Sequence, residues 1–281
     1  MSSEDEVVEA HKMPLLDHLI ELRQRLLYSV IGLFVAFLVC FFFAQDLYNF
    51  LVQPLANILL AHGQGSDVFM HPENQPPPRM IFTDLTEVFF TYIKVAFFFA
   101  AFIMCPLFLT QIWLFVAPGL YKNEKKALAP FLIASPILFL LGAALVYFVL
   151  LPFAWRFFLH FQQPGGPETL AIQLEAKVDQ YLALTMKLIF AFGLCFQLPV
   201  IMTLLARVGL ATSQGMKEKR KYAIVITFIL AAIFTPPDPL SQISLALPIL
   251  VLYEISIQMA RLVEKERAKR EAELDREAGI D

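Results

Sequence analysis

Six apolar runs, each continuous rather than alternating, leave this chain few folds to adopt. They lie at Leu26–Ala44, Val88–Leu109, Ala127–Leu151, Tyr181–Ala206, Tyr222–Thr235 and Leu240–Ala260. A segment in lipid must satisfy its own backbone, which a helix does and an open strand does not. Most of the runs reach, or nearly reach, the length needed to cross a hydrocarbon core of about 30 Å. The fifth is shorter: at about 1.5 Å per residue it covers roughly 21 Å. Pro236-Pro237 stops it, and Pro248 is expected to kink the sixth. The chain therefore reads as an all-α membrane protein of six transmembrane helices with a short fifth and sixth. Composition agrees: 58% of residues are hydrophobic, against about 45–50% in soluble domains.

Basic residues orient the runs. Seventeen lie before the first run, between the second and third, between the fourth and fifth, and after the sixth; three lie in the opposite connections. Such a bias places both termini in the cytoplasm. Three regions follow: a cytoplasmic segment with an amphipathic helix (1–25), the six-helix membrane domain (26–260) and a charged cytoplasmic tail (261–281). The acidic start (Glu4, Asp5, Glu6, Glu9) lacks the basic region of a cleavable signal, so the first run is expected to remain as a spanning helix. Two outer connections are long. Gln45–Glu87 carries a stiff Pro76-Pro77-Pro78 piece. Pro152–Gln180 carries a Pro164-Gly165-Gly166-Pro167 turn, then a short amphipathic helix expected from Thr169.

Enzyme chemistry finds little to work with. His11, His18, His62, His71 and His160 all lie near or beyond the membrane edges, where they cannot hold a haem inside a bundle. There is no HExxH and no phosphate-binding loop. Cys40, Cys105 and Cys195 sit in apolar runs without metal spacing and read as core residues. No enzyme activity and no cofactor are expected; a receptor, a scaffold or a transporter remains.

The polar residues that stand out are few. Pro14–Arg25 reads as a helix leading into the first run, with Leu15, Leu19, Leu22 and Leu26 on one stripe and His18, Glu21 and Arg25 on another side. Glu21 and Arg25 can form an i,i+4 pair at an interface, or Glu21 can meet a ligand. Glu124 lies among Lys122, Lys125 and Lys126, either as a solvated charge or as a second ligand contact. Phe115-Val116-Ala117-Pro118-Gly119-Leu120-Tyr121 before it is apolar for a loop, as if something packs there. Two carboxylates at a membrane surface favour paired arginines over paired lysines, because a guanidinium takes a carboxylate in a two-pronged fork. Within the runs, Gln197 is a functional candidate or an interhelical hydrogen bonder. Lys94 and Lys187 can snorkel to an interface. Thr235, Asp238 and Gln242 cluster at the last hairpin, where Asp238 can cap a turn. Glu254 is expected to pair with a nearby base.

Four landmarks, in order, carry a resemblance: His18-Leu19-Ile20-Glu21-Leu22-Arg23; Gln111-Ile112-Trp113 with Phe115 through Glu124; Ala191-Phe192-Gly193 with Phe196 and Pro199; and Thr235-Pro236-Pro237-Asp238 with Ser241-Gln242. Together they resemble the TatC family, from about Pro14 to Arg261. The resemblance implies a concave, glove-like bundle of six helices. It implies a receptor for twin-arginine leader peptides of folded cargo, working with the single-span subunits TatA and TatB, driven by the proton motive force and not by ATP. It implies a bacterial inner-membrane setting and homo-oligomers within a receptor complex. Under it, Glu21 and Glu124 correspond to the arginine-binding carboxylates, and Arg23 and Phe115 to the same recognition surface. Gln197, Thr235 and Gln242 correspond to partner contacts. Pro54, in the first outer connection, and Asp238 match further functional positions. Two departures stand out: the family often has Glu where Gln197 stands, and Gly63–Arg79 lengthens the first outer connection. The competing reading is a secondary transporter for a small solute, with Gln197, Lys94 and Lys187 around a cavity; against it, paired Gly-broken helices in two halves are missing. A structural subunit of a respiratory complex would need co-purifying redox partners.

Overall fold

In the computed structural model, residues 15–65, 79–116, 125–163, 170, 172, 174–235 and 238–277 are described. They are almost entirely helical. The elements are α1 (Leu15–Phe42), α2 (Ala44–Gly65), α3 (Glu87–Val116), α4 (Lys125–Leu145), a π-helical turn (Val146–Leu150), α5 (Leu151–Leu159), α6 (Val178–Cys195), α7 (Leu198–Val208), α8 (Ser213–Glu218), α9 (Arg220–Phe234) and α10 (Pro239–Glu277).

Among the described residues, five stretches are long and apolar enough to cross a membrane: Arg23–Phe42, Glu87–Gln111, Phe131–Leu159, Val178–Val208 and Ser241–Lys269. The sixth expected span, α9, has 15 residues and is about 22 Å long. Its partner α10 is not short: it runs for 39 residues. The tail mixes Glu, Lys, Arg and Ala, all good helix formers, so the helix continues through the charged tail to Glu277.

Prolines set the irregularities. Pro152 has no N–H to give the carbonyl four residues back. Directly before it the helix widens into the π-turn, where Leu151 N–H reaches Val146 O. Pro199 acts alike: α6 ends at Cys195, a turn passes through Phe196 and Gln197, and α7 resumes at Leu198. The expected third and fourth spans are thus each interrupted.

Two expectations about the outer connections are corrected. Gln45–Glu87 is not simply a connection, because α2 occupies its first half and contains Pro54. Leu47, Leu51, Leu55 and Ile58 recur at helical spacing and pack inward, with Leu55 fully buried. Among the described residues from 170 to 177, the region of the expected amphipathic helix, none is helical. Gln163 and Ile172 instead exchange two backbone hydrogen bonds of 2.9 and 3.0 Å, an isolated antiparallel bridge.

Packing follows chain neighbours. α1 lies on α3, α4 on α6, α3 on α6, α7 and α9 on α10, and α2 on α3 and α5. The main core joins Leu51, Val146, Leu151, Leu182, Phe192 and Ile249. Glycines allow the closest approach. A Cβ at Gly193 would stand 2.4 Å from the Phe139 ring, and one at Gly142 would stand 2.7 Å from Phe192 O. Small residues at crossings are how helices associate where lipid removes the hydrophobic drive. The outward faces suit lipid: Leu26, Val30, Phe34 and Leu38 on α1 are all exposed.

Candidate functional site

The site expected at the basic end begins on α1. Arg23 is exposed there. Glu21 lies in the same helix, two residues earlier, and its side chain is outside the described residues. Phe115 lies in the last turn of α3, its side chain also outside them, and Glu124 falls in the undescribed stretch just before α4. α1 and α3 pack side by side. The helix start bearing Glu21 and the helix end leading to Glu124 therefore belong to the same end of one helix pair.

The rest of the basic end is tied together by contacts of which the sequence suggested only the pairing of Glu254. α7 closes on Gly209 at φ 84°, a left-handed conformation that glycine adopts without a Cβ penalty. Thr212 then caps α8 by accepting Gly215 N–H at 3.1 Å. The carboxylate of Glu264, on α10, accepts Ser213 N–H at 2.6 Å and Ser213 Oγ–H at 2.5 Å. Tyr253 donates to Met216 O at 2.8 Å. Glu254 finds its expected base in Arg220, at 2.7 Å.

Gln197 sits in the break between α6 and α7 and is 4% exposed. Its Nε2 donates to Ser135 O at 2.9 Å, an interhelical hydrogen bond. Its Oε1 has no partner among the described residues. At the last hairpin, Asp238 accepts Ser241 N–H at 2.7 Å and so caps the start of α10. Thr235 Oγ donates to Ala231 O at 2.8 Å, and Gln242 Nε2 to Phe228 O at 3.0 Å. Gln242 thus joins α10 to α9, while Thr235 bonds back onto its own helix.

Pro54 is corrected in position: it lies inside α2 and not in an outer loop. Without an N–H it cannot serve the Phe50 carbonyl one turn back. Tyr147, from the π-turn, donates to that carbonyl at 2.7 Å and stacks on the Phe50 ring at 4.7 Å. Tyr181, from α6, donates to the next carbonyl, Leu51 O, at 2.9 Å. Two phenols from two helices thus hold the turn that Pro54 opens. A donor for Phe50 O was deducible once a helix through Pro54 was granted; which residue supplies it was not. Replacing both tyrosines by phenylalanine removes both bonds and leaves the Phe50 carbonyl without a donor, at about 1–3 kcal/mol, and the thermal midpoint in detergent is expected to fall. An unchanged midpoint would show that the phenols do not hold α2.

Lys94 and Lys187 do not simply snorkel. Lys94 pairs with Asp179 at 2.5 Å. Nearby, Glu87 accepts N–H groups from Thr83 and Asp179 at 3.0 and 3.3 Å and lies 3.6 Å from Lys177. Ile81 bridges the chain before α6 through Ala176 O and Val178 N–H, both at 3.0 Å. The entries to α3 and α6 are thereby stitched together.

Comparison with known proteins places this arrangement. The family model described as Sec-independent protein translocase protein (TatC) matches residues 17–248. A Sec-independent protein translocase protein TatC from Magnetococcus marinus is 44% identical over 93% of this chain and 89% of its own length. The Escherichia coli K12 protein of the same name is 37% identical over 88% of each chain. A crystal structure of a twin-arginine translocase receptor, TatC, superposes with a TM-score of 0.70 at 35% identity, covering 88% of this chain and 99% of that one. Matched along nearly its whole membrane part in sequence and in fold, the chain belongs to the TatC family.

Proposed function

We propose that this chain is the receptor and core subunit of a Sec-independent translocase that exports folded proteins bearing twin-arginine leaders. The observation that carries the reading is the near full-length match to that family in sequence and fold. The pairing of α1 with α3, which brings the flanks of Glu21 and Glu124 to one end, supports a shared site. In this reading the two carboxylates take the two leader guanidinium groups, Arg23 and Phe115 border them, and the apolar 115–121 stretch takes the hydrophobic part of the leader. The chain crosses the bacterial inner membrane six times with both termini in the cytoplasm, α9 being the short fifth crossing. TatA and TatB lay their single helices along α9 and α10, where Ile229, Ile233, Ile243 and Leu247 are exposed. Gln197, Thr235, Gln242 and Asp238 then act by shaping that surface, since their bonds lie within the chain. Homo-oligomers and the proton motive force complete the proposal, and no catalytic step or cofactor is assigned.

The solute-transporter reading gains no support. Lys94 and Gln197 are engaged by Asp179 and Ser135, and neither lines the cavity that Lys187 lines.

Binding of an Arg-Arg leader peptide to the purified protein, beside a Lys-Lys peptide, tests the site. Glu124→Ala and Glu21→Ala are each expected to weaken Arg-Arg binding about 10–100-fold, the range for charge-assisted hydrogen bonds. Unchanged binding in a well-inserted double variant would remove both residues from the site.

A further inference from the structure

A cavity of about 400 Å³ opens at the end of α9 that faces away from the basic loops, bounded by Trp155, Phe158, Tyr181, Leu184, Phe234 and Thr235. Glu175, Lys177 and Lys187 also line it. That volume is in the range that holds small ligands.

Its chemistry is specific. Lys177 is matched by Glu87. Lys187 is not matched by any carboxylate among the described residues: it donates to Ile233 O at 2.6 Å and lies 5.4 Å from the Phe234 ring centre. An ammonium has three donors, so that carbonyl leaves its charge and two N–H groups for another acceptor. Trp155 is 8% exposed, and its indole N–H has no acceptor among the described residues. A buried donor without a partner costs about 1–3 kcal/mol, which an oxygen accepting from the indole N–H would offset. Glu175 contributes a carboxylate on the same wall. The site thus offers one unmatched cation, one carboxylate and one unused donor above an aromatic floor.

The short helix explains what would fill it. α9 falls about 8 Å short of a hydrocarbon core of roughly 30 Å. Lipid beside a short span is drawn inward, so a headgroup is brought down to the level of Phe234 and Lys187. A group with a phosphate and a primary ammonium complements Lys187 and Glu175 together, while its acyl chains lie along Leu184 and Phe234. We infer that this cavity is a binding site for one phosphatidylethanolamine molecule of the outer leaflet. The phosphate meets Lys187 and the Trp155 indole N–H, and the ammonium meets Glu175.

The chain has two tryptophans, so Trp113→Phe leaves Trp155 as its only indole. That protein is reconstituted in vesicles of phosphatidylcholine containing acyl-brominated phosphatidylethanolamine, phosphatidylglycerol, phosphatidylcholine or diacylglycerol, and quenching of Trp155 is measured. Phosphatidylethanolamine is expected to quench best, about tenfold more tightly than phosphatidylcholine, as one charge-assisted hydrogen bond provides. Lys187→Gln should remove the advantage of phosphate lipids over diacylglycerol, and Lys187→Arg should keep it. Glu175→Gln should erase the preference for phosphatidylethanolamine over phosphatidylglycerol. Equal quenching by all four lipids would overturn the proposal and mark ordinary bilayer contact. Displacement of quenching by a leader peptide or by a partner's membrane helix, without headgroup preference, would overturn it too and give the cavity to that occupant. Leader affinity is read separately, so failure here leaves the receptor assignment standing.

Discussion

Gly193→Val is expected to abolish the native packing of α4 against α6. Even a single Cβ at this position would stand 2.4, 2.7 and 2.9 Å from three atoms of the Phe139 ring. Phe139 is fully buried, tilted against Phe102 and edge-on to Phe190, so the ring has little room to move. Overpacking of a filled site costs about 1–3 kcal/mol for modest insertions, and three added carbons against a trapped ring belong at or above the top of that range. The measurement is the thermal midpoint of the detergent-purified protein, with chromatographic homogeneity beside it. Phe139→Leu in the same chain should return much of the loss, because the two sites touch and their effects are not additive. A variant as stable as the parent would mean that the helices do not cross this closely.

Glu264→Ala should release the loop between α7 and α9. The carboxylate accepts both the backbone N–H and the hydroxyl of Ser213, and Ser213 is 8% exposed, so water is a poor substitute. Hydrogen bonds to a charged acceptor contribute about 1.5–3 kcal/mol each. Amide exchange across residues 210–219 is therefore expected to quicken by about 10–100-fold while exchange in α4 and α6 is unchanged. Glu264→Gln, which keeps one accepting oxygen, should fall between. Uniform exchange in parent and variant would show that the remaining ties, Tyr253 to Met216 and Arg220 to Glu254, hold the loop alone.

The membrane part was legible because lipid imposes a blunt rule: an apolar run must be a helix. Each expected run overlaps an observed helix or a broken pair of helices, and the short α9 followed from Pro236-Pro237. What escaped was outside that rule. α2 was passed over because Gln45, Asp46, Asn49 and Gln53 dilute its apolar stripe and Pro54 argues against a helix; tertiary hydrogen bonds from Tyr147 and Tyr181 override that local preference. The breaks at Pro152 and Pro199 were announced by the prolines, yet their form depends on how neighbours absorb the loose carbonyls. At the site, local chemistry could be read, as in the capping by Asp238 and the pairing of Glu254. Partners distant in sequence could not: Ser135 lies 62 residues from Gln197, and Glu264 lies 51 from Ser213. The role of Glu21, Phe115 and Glu124 rests on the resemblance alone and belongs to the proposal, because their side chains lie outside the described residues.

The unbroken course of α10 has a mechanical corollary. From Pro248 to Glu277 the helix extends for about 45 Å. Pivoted at that proline, it works as a lever arm: a change in tilt of about 10° sweeps its charged tip through roughly 8 Å. Glu264, Tyr253 and Glu254 couple α8 and the start of α9 to the same shaft. A change of tilt along α10 would therefore carry α8 and the start of α9 sideways with it, as parts tied to one shaft.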